Sequence, residues 1–248
     1  VPGTAFAEPA SGSAATSELR LDEIVVTAQK RAELAIEAPL SVTALDGDAL
    51  RDRQVTSMED LHLISPGISS AQTNGVNRLF IRGIGLSSFA SGNDPSSGFY
   101  VDGVFVARPS FQLTSFFDVE RLEVVRGPQG TLYGRNATGG AVNMLTRGPT
   151  DELSGYLNLT GGKHDLHEGE GALSGPLSTD GRVSGRIAFK LSDRSGYGTD
   201  LAQDHPVNDA NQKSVRATLQ FRPNDSVDLK LIGEYHKESD NNYYTMNF

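Results

Sequence analysis

Residues 182–193 read Arg-Val-Ser-Gly-Arg-Ile-Ala-Phe-Lys-Leu-Ser-Asp and change polarity at almost every step. Val183, Gly185, Ile187, Phe189 and Leu191 fall on one side, with Ser184, Arg186, Ala188, Lys190 and Ser192 on the other. Successive side chains of a β-strand point to opposite faces, so this stretch is a strand with one oily and one wet face. The pattern recurs on both sides of it. Val215, Ala217, Leu219 and Phe221 oppose Ser214, Arg216, Thr218 and Gln220. Val227, Leu229, Leu231 and Tyr235 oppose Asp228, Lys230 and Glu234. Upstream, Gly155, Leu157 and Leu159 oppose Tyr156, Asn158 and Thr160, and His167–Gly175 alternates more weakly. These five segments match the roughly 9–11 residues with which a β-strand crosses a bilayer.

Two architectures share this alternation. A transmembrane barrel turns the oily face to lipid, whereas an antiparallel sandwich buries it. Charges on the polar face suit a lumen and a solvated sheet equally. Pro176–Gly181 and Pro223-Asn224-Asp225 are short connections, while Ser195–Gln212 and the tail after Glu238 are long and polar. Short turns at one end and long loops at the other fit a barrel, and only the connection at Lys163-His164 breaks the rule. The pattern alone leaves both architectures open.

Composition narrows the function. The 248 residues carry 22 Lys plus Arg against 31 Asp plus Glu, a formal charge of −9, which argues against a protein devoted to neutralising nucleic-acid phosphates. Cys is absent, which removes disulfides, thiolate metal sites and a Cys nucleophile together. No apolar run approaches the roughly 18 residues of a spanning helix, and spanning strands would leave no such mark. With 27 Gly and no Trp, the chain leans towards turns and strands.

Residues 33–149 read as a mixed α+β domain. Ser41–Leu45 is a strand, and Asp46 can cap a short helix through Arg51. Thr56-Ser57-Met58-Glu59 has the form of a capping box, with Thr56 accepting from the first turn and Glu59 reaching back. The helix it opens should stop before Ser65-Pro66-Gly67. Arg78–Arg82, Arg121–Arg126 and Ala141–Thr146 are further strands, and Asp102-Gly103 joins two aromatic and β-branched arms into a hairpin. Ahead of this domain, Asp22–Ala28 is extended, with consecutive β-branched residues from Ile24 to Thr27 and no evident hairpin partner. It is either an edge strand or a strand awaiting a partner. Within residues 1–20, Glu8–Arg20 has too few large apolar groups to order itself. Ala5-Phe6-Ala7 fits the end of a secretory signal, with a mature terminus near Glu8, as well as it fits a chance Ala pair.

Enzyme signatures are missing. Gly83-Ile84-Gly85 lacks the rest of a dinucleotide fingerprint, and no phosphate loop, nucleophile elbow or zinc-protease motif occurs. His164 and His167 sit beside a turn, where solvation is the simpler reading. No cofactor, metal or catalytic group is expected.

One combination of segments rises above chance. Asp22–Ala28 (DEIVVTA), Arg78–Gly85 (RLFIRGIG), Gly98–Pro109 (GFYVDGVFVARP) and above all Val119–Pro149 (VERLEVVRGPQGTLYGRNATGGAVNMLTRGP) resemble the TonB-dependent outer-membrane receptors. The resemblance runs from about Leu21 onward. It implies an α+β plug at 33–149 inside an antiparallel transmembrane β-barrel, with 150–248 as the first five of an expected 22 strands. Twenty-two strands of about ten residues need about 220 residues before loops, so the chain is expected to be the N-terminal part of a longer receptor.

Residues 21–32 then hold the TonB box and its linker, with Glu23, Ile24, Val25, Val26 and Thr27 adding as a strand to the inner-membrane protein TonB. Family likeness places Arg82 and Arg126 in a buried cluster with barrel glutamates. It also aims plug loops outward at the ligand, with Ser88, Phe89, Asn93, Asp94, Arg108, Phe111 and Gln112 as candidate contacts. The implied function is active uptake across the outer membrane of a Gram-negative bacterium. Its ligand would be a ferric siderophore, a corrinoid or an oligosaccharide, and its partners TonB and outer-membrane lipid. Rival readings are a secreted ligand-binding module with a β-sandwich and a TonB-dependent signal transducer with an extra periplasmic domain.

Overall fold

The computed structural model describes residues 25–26, 33–34, 40–73, 76–85, 95–108, 111–112, 116–200, 205–224 and 226–241. Its first element is a short antiparallel pair, β1 (Val25–Val26) with β2 (Glu33–Leu34), in which Val25 faces Leu34 and Val26 faces Glu33. The β-branched segment therefore does have a hairpin partner, contrary to the sequence reading. The cause is tertiary: Val26 is fully buried with Val125 and packs against Leu40, Val42 and Ala44.

β3 (Ser41–Asp46) runs into α1 (Gly47–Asp52), where Asp46 Oδ1 accepts from the Ala49 N–H at 2.7 Å, the expected cap. The next turn departs from expectation. It is a 3₁₀ helix, Glu59–Leu63, and its closing side chain is Asp60 rather than Glu59. Asp60 Oδ2 accepts from the N–H groups of Thr56 and Ser57, each at 2.9 Å, and from both hydroxyls. Thr56 is thus a donor, because a carboxylate offers more acceptor sites than a hydroxyl.

β4 (Ile68–Thr73), β5 (Val76–Ile81) and β6 (Ile84–Gly85) form a three-stranded sheet. β7 (Ser97–Val101) and β8 (Val104–Phe105) flank Asp102-Gly103, whose φ values of 49° and 81° are those a two-residue hairpin turn needs. β9 (Val119–Arg126), the short helix α2 (Gly130–Tyr133) and β10 (Gly140–Thr146) follow. The larger sheet runs β3-β9-β10-β7-β8, with β10 and β7 parallel and the other pairs antiparallel. Its core includes Leu50, Met58, Leu61, Ile81, Phe99 and Leu122. Gly140 has φ +142°, and a Cβ there would meet the Val125 carbonyl oxygen at 2.2 Å, so only glycine fits the start of β10.

The remaining long strands form an antiparallel meander: β11 (Ser154–Gly162), β12 (Leu166–Pro176), β13 (Val183–Arg194), β16 (Ala210–Asn224) and β17 (Val227–Glu238). Between β13 and β16, β14 (Gly198–Asp200) and β15 (His205–Val207) make a small separate hairpin. The faces of this wall are inverted relative to a sheet in a water-soluble domain. Arg186 is 8 % exposed while neighbouring Ile187 is 52 % exposed. Ser184, Lys190, Ser214, Arg216 and Thr218 are buried, whereas Leu157, Leu191, Leu219, Leu231 and Tyr235 are exposed. The wet face is covered by the mixed domain, and the oily face forms a contiguous apolar surface of the kind lipid covers. A sandwich would bury the opposite side, so the fold is a plug with part of a barrel wall.

Candidate functional site

Plug and wall meet at Phe116-Phe117-Asp118, immediately before β9. Asp118 adopts φ +50°. Its carboxylate receives Nε of Arg186 on Oδ2 at 2.7 Å and Nη2 on Oδ1, a two-pronged charge-assisted pair. The two side chains are only 1 % and 7 % exposed. Glu170 Oε1 accepts from the Tyr156 hydroxyl at 2.8 Å and from the Asp118 N–H at 3.3 Å, tying two more wall residues to the same corner.

Two further cations hold the neighbouring residues. The Arg216 guanidinium lies 4.2 Å from the centre of the Phe117 ring and donates to the Phe117 carbonyl at 3.2 Å. Its Nε also reaches Glu234 at 2.8 Å. Lys190 Nζ is 3.5 Å from both the Phe116 carbonyl and Glu168. Buried charge is tolerated only when it is paired and hydrogen-bonded, and each of these cations has an anion and a backbone or ring acceptor. Sequence reasoning missed this latch. Its one visible sign is three cations on the polar face of neighbouring strands, which a solvated sheet would present equally.

Arg126 ends β9 half-buried, with Nη2 donating to Thr43 Oγ1 at 2.7 Å and Nε enclosed with no partner among the described residues. Arg82 is exposed in a turn at φ +54°, its N–H donating to the Gly67 carbonyl at 2.7 Å. Among the described residues neither guanidinium meets a carboxylate. Arg108 and Phe111 are exposed, with the guanidinium 5.8 Å from the ring centre. Gln112 turns the other way. It is 2 % exposed, donates to the Val106 carbonyl at 3.1 Å and accepts from Asn77 at 3.2 Å, so its side chain braces the loop from inside instead of facing outward. Ser88, Phe89, Asn93 and Asp94 lie outside the described residues, as do Glu23, Ile24 and Thr27.

Beyond the end of β17, burial is the main cause that pushes the Asp240 carboxyl up to about 7, helped by a hydrogen bond to Glu238 and the charges of Glu238 and Asp209. Asn241 N–H donates to Asp209 Oδ1 at 2.6 Å in the same corner. A raised carboxyl pKa stabilises the folded corner at low pH, and that stability is lost as pH rises through about 7. Corrected for its intrinsic rate, amide exchange at Asn241 should therefore accelerate progressively between about pH 4 and 7 and level off above, and Asp240→Asn should flatten the response. A flat profile in the unmodified protein would contradict this account.

These features coincide with known proteins. Residues 35–141 match the family model of the TonB-dependent receptor plug domain. The pesticin receptor of Yersinia pestis is 34 % identical over 184 residues, which is 73 % of this chain and 27 % of that receptor. The ferrioxamine B receptor of Salmonella typhimurium is 27 % identical over 228 residues, 88 % of this chain and 31 % of its own length. The crystal structure of the ferric yersiniabactin uptake receptor of Yersinia pestis superposes with a TM-score of 0.68 at 28 % identity, covering 75 % of this chain and 29 % of that one. The chain thus spans less than a third of the length of these relatives. With a matched plug packed against the polar face of an outward-oily wall, the chain belongs to the TonB-dependent receptors.

Proposed function

We propose that the receptor to which this chain belongs imports a ferric siderophore across the outer membrane, driven by TonB. The observation that carries the reading is the inverted wall: its wet face is occupied by the plug and its oily face is left for lipid. Transport through such a wall requires the plug to move, and the site for a pull is β1, a β-branched strand on the N-terminal side of the plug. The siderophore class is supported by relatives described as receptors for ferripyoverdine and ferrioxamine B and by the ferric yersiniabactin uptake receptor. Arg108 and Phe111, exposed side by side, offer a cation and a ring to an anionic or aromatic ligand.

The test is accumulation of radiolabelled iron by iron-starved cells carrying the complete receptor. Ferric yersiniabactin, ferrioxamine B and ferripyoverdine would be supplied in turn, with and without TonB. At least one is expected to accumulate only when receptor and TonB are both present. Uptake of a corrinoid or oligosaccharide but of none of these would overturn the iron assignment. Accumulation that persists without TonB would overturn the energy coupling.

A further inference from the structure

The oily face of the wall ends in a cationic corner. Following cross-strand partners, one outward row reads Leu159, Gly169, Leu191, Lys213, Lys237. The adjacent row towards the middle of the strands reads Leu157, Gly171, Phe189, Val215, Tyr235 and carries no charge. The apolar band therefore gives way to two directly opposed lysines within a single residue pair. Both lysines are exposed, and neither has a carboxylate at ion-pair distance among the described residues. Like charges placed opposite each other destabilise a sheet unless an anion lies between or above them.

Other charges near the corner do not supply that anion. Asp193, on the next outward row, is engaged by Asn211 Nδ2 at 3.0 Å. Glu168 and Glu238 belong to the opposite face, where Glu168 pairs with Lys190 and Glu238 lies 3.7 Å from His236. Beside the lysines runs a groove of about 650 Å³ lined by Leu159, Gly161, His167, Gly169, Leu191 and Lys213. Gly161 and Gly169 add no side chains to it, and Leu159 and Leu191 form its apolar part beside His167, Asp193 and Lys213. Strand connectivity puts this corner at the end of the wall that carries the turn at Lys163–Asp165 and the long connection 195–209, away from the short turns at 177–182 and 225–226.

We propose that this corner binds the phosphorylated glycolipid of the outer leaflet, with a phosphate between Lys213 and Lys237 and an acyl chain in the groove over Gly169. The assignment rests on the outer-membrane reading above, which puts the long connections outside. The chemistry fits one occupant: an anion is needed at headgroup level, hydrocarbon directly beneath it, and flexible lysine stems that span the two.

The test uses the complete receptor extracted from outer membranes in mild detergent, with bound lipid counted by native mass spectrometry and its location checked by membrane fractionation. The unmodified receptor is expected to retain about one phosphorylated glycolipid, and Lys213→Gln/Lys237→Gln to lose retention by roughly tenfold or more. Arg182→Gln, at the opposite end of the wall, should retain it fully. The unfolding midpoint of each variant guards against a general loss of structure. Equal retention by the double variant would overturn the proposal while leaving the membrane assignment intact. So would phosphatidylglycerol bound in place of the glycolipid, or a second receptor copy covering the corner. Recovery of the receptor from a different membrane would remove the outer-membrane reading and this site with it.

Discussion

An Arg186→Ala receptor is expected to lose about 3–5 kcal/mol of the free energy that seats the plug in the wall, because the substitution leaves the Asp118 carboxylate buried without its counter-charge. That residue is 3 % exposed. Asp118→Ala should cost about as much, since it strands the guanidinium instead. The discriminating case is Asp118→Leu/Arg186→Met. With both charges gone the desolvation penalty disappears, so the double variant should be more stable than either single one. A fluorophore on a cysteine introduced into the plug would follow denaturant unfolding in the complete receptor, and the 248 residues here contain no competing thiol. An unchanged midpoint for Arg186→Ala would mean that the pair does not hold the plug. A double variant as unstable as the sum of the singles would mean that shape, not charge, is what the pair supplies.

The second large effect concerns transport. Val25→Pro in the complete receptor should reduce uptake to the level of cells lacking TonB, with receptor abundance and ligand binding unchanged. Val25 and Val26 already hydrogen-bond as a strand, to β2, and Val26 is anchored beside Val125. For TonB to take this segment as an added strand, β1 must exchange its partner, and the new ladder needs the N–H that proline lacks. Leu34→Pro is the informative contrast, since it weakens only the partner that β1 must leave. It should not reduce uptake. Normal transport by a normally expressed Val25→Pro receptor would remove β1 from the energy-coupling path.

Much of the strand inventory was legible because a period of two is a local property. Val183–Leu191 and Val215–Phe221 declare their two faces residue by residue. The Asp102-Gly103 turn and the Asp46 cap were equally readable, since each depends on side chains within a few positions of the turn. Where local signals failed, a distant or competing group had decided the outcome. Asp60 displaced Glu59 as the closing carboxylate because it reaches two N–H groups at once. β1 acquired a partner because Val125, a hundred residues away in the chain, offers it a buried seat. Gln112 turned inward because Asn77 and the Val106 carbonyl satisfy its amide there.

The same division runs through the whole molecule. By itself the sequence determined that there is a mixed domain followed by strands with opposed oily and wet faces, because alternation and turn chemistry are written in consecutive residues. The alternation left undecided which face points where, as a barrel wall and a sandwich sheet share one pattern, and only the family resemblance implied the barrel. Only the tertiary structure decided it, by setting Phe116-Phe117-Asp118 against Arg186, Lys190 and Arg216. Those cations can be buried only where a plug brings them acceptors, and that packing leaves the leucines facing outward.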